Sequence, residues 1–226
     1  MRNKSYIIVE GVDLVKRTNA KINPDKVIFN AVLQTTGNKN RNGRIYSKEA
    51  LISALKMKEQ MLRPRGFVGE LDHPLIANYE DERAADVRLS TVLWERTSHV
   101  ITKYWWEGNE LWGTIESTLC GYGPEIVKIV KDNLPLGFSL RAIGQAEDYG
   151  GDMMVNSIDY IVGYDAVTLP SHHEAVMRQL TEERYYNLQE SIQEWNYLLR
   201  NNKDSRLLME QKTKTDSMID MLLRWE

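Results

Sequence analysis

Two β-rich runs, His99–Trp106 and Leu111–Ser117, flank the short segment Glu107-Gly-Asn-Glu110. Gly108 and Asn109 tolerate the positive φ of a tight turn, so the chain doubles back there and commits itself to an antiparallel sheet. Further β-rich runs at Tyr6–Glu10, Val27–Thr35, Val87–Arg96, Leu136–Gly144 and Met154–Thr168 extend this hairpin into a meander. Helical patterns interrupt it twice. The first starts at Ser47, an N-cap residue, and carries Leu51, Leu55, Met57 and Leu62 as its apolar stripe until Pro64 stops it. The second opens at Pro124 and ends near Asp132 or Asn133. Asn42-Gly43, just before the first helix, is a tight-turn signal. Many strands with few helices predict an α+β fold built on a mainly antiparallel β-barrel with flanking helices.

The composition changes near residue 180. Residues 181–226 contain no glycine or proline and repeat apolar side chains at helical spacing, first Leu188, Ile192, Trp195, Leu198 and Leu199, then Leu207, Leu208, Met218, Met221, Leu222 and Trp225. This predicts a domain over 1–180 and a helical C-terminal tail over 181–226, either packed on the barrel, dimerising, or serving as a detachable arm. The chain of 226 residues, 42% hydrophobic, is long enough for one core and an appendage. A formal net charge of -3, with basic residues scattered among acids, leaves no electrostatic footprint for nucleic acid. The lone Cys120 excludes an internal disulfide framework and suits a reducing compartment. No apolar stretch approaches the roughly 20 residues that span a bilayer, so a soluble, non-secreted protein is expected.

Three polar residues carry the chemistry. His73 lies in Gly69-Glu-Leu-Asp-His-Pro74, Ser139 in Leu134-Pro-Leu-Gly-Phe-Ser-Leu-Arg141, and Asp165 in Gly163-Tyr-Asp-Ala-Val-Thr-Leu-Pro170. A serine hydroxyl is a poor nucleophile at neutral pH; it needs an imidazole to take its proton and a third group to hold that imidazole in the right tautomer. Ser139 as nucleophile, His73 as base and Asp165 as orienting acid fill those roles. Asp72 would point to the opposite face from His73 on a strand, which favours Asp165, while His172 and His173 remain alternatives for the third member. Arg141 shares the face of Ser139 on a strand and is a candidate for binding an acidic substrate, with Arg88 and Lys128 as other candidates. A metal hydrolase built on Asp72, His73, His172, His173 and Glu174 is disfavoured by spacing, since the chain has no His-Glu-x-x-His or Cys-x-x-Cys element.

Taken in order, Asn40-Arg-Asn-Gly-Arg-Ile-Tyr46, Gly-Glu-Leu-Asp-His-Pro, Leu-Gly-Phe-Ser and the Tyr-Asp segment running into Leu169-Pro-Ser171 resemble the motifs of the prohead proteases of large contractile-tailed bacteriophages. The resemblance implies an assemblin-like fold and a serine endopeptidase of Ser-His-Asp type without cofactor or metal. The turn Leu169–Glu174 follows the Asp165 run, as the oxyanion loop follows the third triad member in the assemblin-like proteases these motifs resemble, and that resemblance makes it the candidate source of oxyanion donors. The resemblance also implies action inside the assembling prohead, in the host cytoplasm, on scaffold or core proteins and the major capsid protein, with a homo-oligomer possible and no nucleic-acid or membrane partner. Cleavage after Glu in Ile/Leu-x-Glu is the implied preference, and the tail offers Glu182, Glu190, Glu194 and Glu210 as self-cleavage sites. Ile8-Val-Glu10 and Leu93-Trp-Glu95 match too, but fall in expected strands. The alternative is a non-catalytic scaffold or capsid-associated binding module, which would dock through the tail or through Trp105, Trp106 and Trp112.

Overall fold

The computed structural model describes residues 4–9, 17–22, 24–40, 43–61, 67–75, 81–167 and 177–179. The tail over 181–226, with its expected helices and its four candidate cleavage sites, lies outside the described residues. In chain order the elements are β1 (Lys4–Val9), β2 (Arg17–Ile22), β3 (Val27–Thr35), β4 (Arg44–Tyr46), α1 (Lys48–Met61), β5 (Val68–Glu70) and α2 (Glu82–Ser90). There follow a 3-10 turn (Trp94–Arg96), β6 (Thr97–Glu107), β7 (Glu110–Ser117), α3 (Gly123–Lys131), β8 (Gly137–Tyr149), β9 (Asp152–Val167) and β10 (Met177–Gln179).

The β6–β7 hairpin forms at the expected turn, with Gly108 at φ 58° and Trp105 paired with Trp112 in register, their rings stacked at 6.3 Å. Around it the strands build two five-stranded sheets, ordered β10-β1-β8-β9-β4 and β2-β3-β7-β6-β5. This corrects the expected closed barrel. Among the described residues isolated bridges join segments of the two sheets, Lys39 to Ile45, antiparallel, and Leu71 to Ala166, parallel. The Leu71 bridge goes no further because Asp72 adopts φ 58°, a left-handed conformation that turns the chain out of the ladder.

A second correction concerns Val87–Arg96, expected as a strand. Asp81 caps a helix there, its carboxylate accepting from the backbone N–H of Arg83 at 3.0 Å and Ala84 at 3.3 Å. The buried positions Ala85, Arg88 and Leu89 then recur at helical spacing. Leu93-Trp-Glu95 accordingly runs into the 3-10 turn rather than along a strand.

Helix α1 starts after Ser47, whose Oγ accepts from the Ala50 N–H at 3.2 Å. It buries Ala50, Leu51, Ala54 and Leu55, whereas Met57, expected on that stripe, is exposed. Helix α3 ends in a Schellman motif: Asn133 takes φ 53° and the Leu134 N–H reaches the Ile129 carbonyl at 2.9 Å, which aims the chain into β8. One apolar cluster joins both sheets with α1 and α3, and Phe29 of β3 meets Phe138 of β8 at 6.2 Å between ring centroids.

Candidate active site

The β8–β9 ladder places Ser139 directly opposite Asp165 and Arg141 opposite Gly163. Directly opposed residues share a sheet face, so these polar side chains lie together, while Phe138, Leu140 and Ala142 turn to the other face and into the core. The polar face is covered by β5 and by the end of α2. Strand β5 comes close because residue 69 is glycine: a Cβ there would lie 2.0 Å from the Tyr164 carbonyl oxygen and 2.5 Å from His99 Cε1. Beyond it the Asp72 N–H bonds to the Ala166 carbonyl at 2.8 Å, and the next residue, His73, reaches the ladder.

The structure brings His73, Ser139 and Asp165 together. His73 Nε2 lies 2.6 Å from Ser139 Oγ, and its Nδ1 lies 2.9 Å from Asp165 Oδ2. A carboxylate only accepts, so Nδ1 carries the proton and Nε2 is left with a lone pair facing the hydroxyl. Burial pushes the Asp165 carboxyl up, but the Arg141 guanidinium and the hydrogen bond from His73 outweigh it and bring the carboxyl down to about 2. Asp165 is therefore a permanent anion near neutral pH. Ser139 has 0% of its surface exposed and the His73 side chain 21%. Residues 71–75 are not strand beyond the bridge at Leu71, so the alternation argument against Asp72 does not apply; Asp165 takes Nδ1 through the β8–β9 register instead. His172, His173, Glu174 and the candidate oxyanion turn lie outside the described residues. Among the described residues no group of His, Cys, Asp or Glu is placed to hold a metal ion.

A model of the peptidase S80 family matches residues 14–221 of this chain. The chain belongs to the peptidase S80 family. It is 29% identical over 186 residues to the prohead core protein protease of Enterobacteria phage T4, covering 77% of this chain and 81% of that protein. The structure of the bacteriophage T4 capsid assembly protease matches with a TM-score of 0.57 at 22% identity, covering 73% of this chain and 99% of that one. That likeness shows a shared fold. The span matched by the S80 family contains His73, Ser139 and Asp165.

In this S80 peptidase Arg141, expected as a candidate for binding an acidic substrate, faces groups of the chain itself. Its surface is fully buried, and its Nη2 donates to Asp165 Oδ1 at 3.0 Å. Its Nε lies 2.5 Å from Asp165 Oδ2, an ion contact without the alignment of a hydrogen bond. Arg88 is buried as well and forms a fork on Glu70, Nη1 to Oε1 at 3.0 Å and Nη2 to Oε2 at 2.5 Å. Lys128 sits on α3 and pairs with Glu125 at 2.7 Å.

Sequence reasoning missed Glu70, which is wholly buried and also accepts from the Leu93 N–H at 2.7 Å. Its signal was available: a carboxylate within an otherwise uncharged β-length run needs a buried partner. His99 was missed too. It is buried, held through Nδ1 by Ser98 Oγ at 2.9 Å and set edge-on to Phe138, and burial pushes its imidazole down to about 4, which keeps it neutral. Among the described residues no helix is long and apolar enough to cross a membrane.

Proposed function

We propose that this peptidase is a serine endopeptidase of prohead maturation that works through Ser139, His73 and Asp165. The observation that carries the reading is a single imidazole bridging a serine hydroxyl at 2.6 Å and a buried carboxylate at 2.9 Å. As His73 Nε2 takes the hydroxyl proton, Ser139 Oγ bonds to the scissile carbonyl carbon; Asp165 stabilises the imidazolium. The same proton passes to the departing amine as the C–N bond breaks. A water, activated in turn by His73, then hydrolyses the acyl-enzyme and restores Ser139. Backbone donors for the oxyanion come from Leu169–Glu174 in this reading.

The names of the T4 relatives support placing this chemistry inside an assembling prohead in the host cytoplasm, with scaffold or core proteins and capsid protein as substrates. The resemblance in sequence motifs supports cleavage after Glu in Ile/Leu-x-Glu, and self-processing at Glu182, Glu190, Glu194 or Glu210. Leu93-Trp-Glu95 resists cleavage, since its 3-10 backbone does not offer the extended chain a protease binds. The test is a timed intact-mass assay of wild type, Ser139→Ala and His73→Ala with a peptide carrying Leu-x-Glu. Wild type alone should cut the peptide and shed fragments ending at those tail glutamates. If all three proteins and the peptide stay intact in the presence of a phage scaffold, the catalytic reading fails and a binding module replaces it.

A further inference from the structure

We propose that Arg141 is a positioning residue for the hydrolytic reaction, holding the Asp165 carboxylate in the orientation that presents Oδ2 to His73. The inference rests on the reading of Ser139, His73 and Asp165 as the catalytic group, and goes beyond it by assigning work to residues that touch neither substrate nor scissile bond.

The geometry is an alternating chain of charge. Helix α2 ends against Arg141, whose Nη1 donates to the carbonyl oxygens of Leu89 at 3.2 Å and Thr91 at 2.8 Å, with Arg88 O at 3.5 Å. Carbonyls at a helix C-terminus lack helical partners and carry partial negative charge, so they form a seat for a cation. Nη2 faces the other way, 3.0 Å from Asp165 Oδ1 and 3.4 Å from Glu70 Oε1. Asp165 Oδ1 also accepts from the Glu70 N–H at 3.1 Å, while Oδ2 meets His73 Nδ1 at 2.9 Å and has Arg141 Nε 2.5 Å away, so the carboxylate is held from both of its oxygens with Oδ2 turned to His73.

Glu70 sets a second carboxylate beside Arg141, its Oε1 3.4 Å from Nη2. Arg88 holds Glu70 by its fork, Arg96 Nε lies 3.6 Å from Oε2, and the Lys58 amine feels Arg141 from the α1 side. The cluster therefore draws on α1, α2, β5, β8 and β9. A carboxylate fixed by two directed donors cannot rotate to offer His73 a different lone pair, and orientation errors near 1 Å cost about 100-fold in rate.

Arg141→Met removes the clamp and the charge; Arg141→Lys keeps a charge and loses the fork. Per active site titrated with a serine-directed fluorophosphonate, Arg141→Met should lower kcat by about 100-fold with KM for the Leu-x-Glu peptide nearly unchanged. Its acid limb should move up by about one pH unit, because an Asp165 carboxylate without its guanidinium binds protons more readily and favours the imidazolium. Arg141→Lys should restore the acid limb while kcat recovers only in part. A substrate-binding role would raise KM instead, and a merely structural role would reduce the titrated fraction while leaving kcat and the pH profile per site intact; either result overturns the proposal.

A readout independent of proteolysis is the far-downfield proton of His73 Nδ1–H, recorded by NMR in the Ser139→Ala protein. It should persist with Arg141→Lys and vanish with Arg141→Met. Its persistence with Arg141→Met sinks the clamp even if the peptide is never cut. Failure of wild type to cut, with this signal behaving as expected, sinks the protease reading alone. Should Arg141→Met fail to fold, Arg141→Lys decides: kcat and signal both equal to wild type would show that the fork does no positioning.

Discussion

At the scale of single residues, Asp165 couples stability to chemistry. Its carboxyl is brought down to about 2, against 3.8 for an ordinary aspartate, because Arg141 and His73 outweigh the burial that acts the other way. The sign follows from proton binding: a carboxyl that is more acidic when folded stabilises the fold above its unfolded value, and that contribution is lost as pH falls through the folded one. The contribution is about 2 kcal/mol, present above about pH 4 and gone near about pH 2. Asp165→Asn should therefore lose less stability than wild type between about pH 5 and about pH 2, measured as urea midpoints. The same substitution should lower kcat by on the order of 10³-fold or more, because an amide no longer dictates which imidazole nitrogen carries the proton. An Asp165→Asn protein whose midpoint falls in parallel with wild type would show that the carboxylate is not the group titrating.

At the scale of elements, the bulges of β9 decide where that carboxylate points. The β8–β9 register shifts between Arg141 and Ala142, where Gly163 and Ile161 are successive partners and Val162 is the extra residue. A bulge leaves backbone groups without their ladder partners. Lys58, reaching across from α1, supplies them: its Nζ donates to the Ile161 carbonyl at 2.8 Å and the Val162 carbonyl at 3.0 Å, among the rings of Phe67 and Tyr160. Burial first, and Arg141 second, push this amine down to about 7. Between about 7 and the ordinary 10.5 the unfolded chain holds the extra proton, so stability rises with pH across that window, by up to about 1 kcal/mol per pH unit. Lys58→Met should flatten this rise, and denaturant midpoints taken across pH 7 to 9 on both proteins would check it; equal slopes would refute it. Much of this element scale was legible in sequence. Long strands with alternating side chains, the Gly108 hairpin and the Ser47 and Pro124 helix starts were all readable. Strands β4, β5 and β10, of three residues each, have no alternation to read, and Val87–Arg96 misled because its Val87 and Leu89 mimic a strand while the cap that decides for helix lies upstream at Asp81. Parity correctly put Arg141 on the face of Ser139. Its burial depends on α2, which covers it, and a strand reading of Val87–Arg96 supplies no such cover.

At the scale of the whole molecule, the site is assembled across two sheets: His73 follows β5 of one, and Ser139 and Asp165 sit on β8 and β9 of the other. The motifs around His73 and Ser139 mark them as partners in chemistry, but their meeting depends on sheet packing that no local pattern encodes. The sheet with Ser139 is itself extended at one edge by β10, whose Met177–Gln179 pairs antiparallel with Tyr6–Ile8 of β1, while β1 pairs along its other side with β8. This order fixes how much of the tail can be removed without disturbing the site. A cut after Glu182 falls beyond the last β1–β10 pair, Tyr6 with Gln179, and leaves the ladder whole. We expect a chain ending at Glu182 to hydrolyse a Leu-x-Glu peptide at the full-length rate and to unfold within about 0.5 kcal/mol of it, as for a change away from the core. A chain ending at Val176 lacks β10, exposes the unpaired edge of β1, and should lose about 1 kcal/mol for each ladder hydrogen bond removed, with activity falling in step as β8 loses its support. Urea unfolding and peptide hydrolysis on the three lengths, full, 182 and 176, separate the cases. If the chain ending at Glu182 is as unstable as the one ending at Val176, the tail is part of the core rather than a detachable arm, and self-processing there would end activity instead of sparing it.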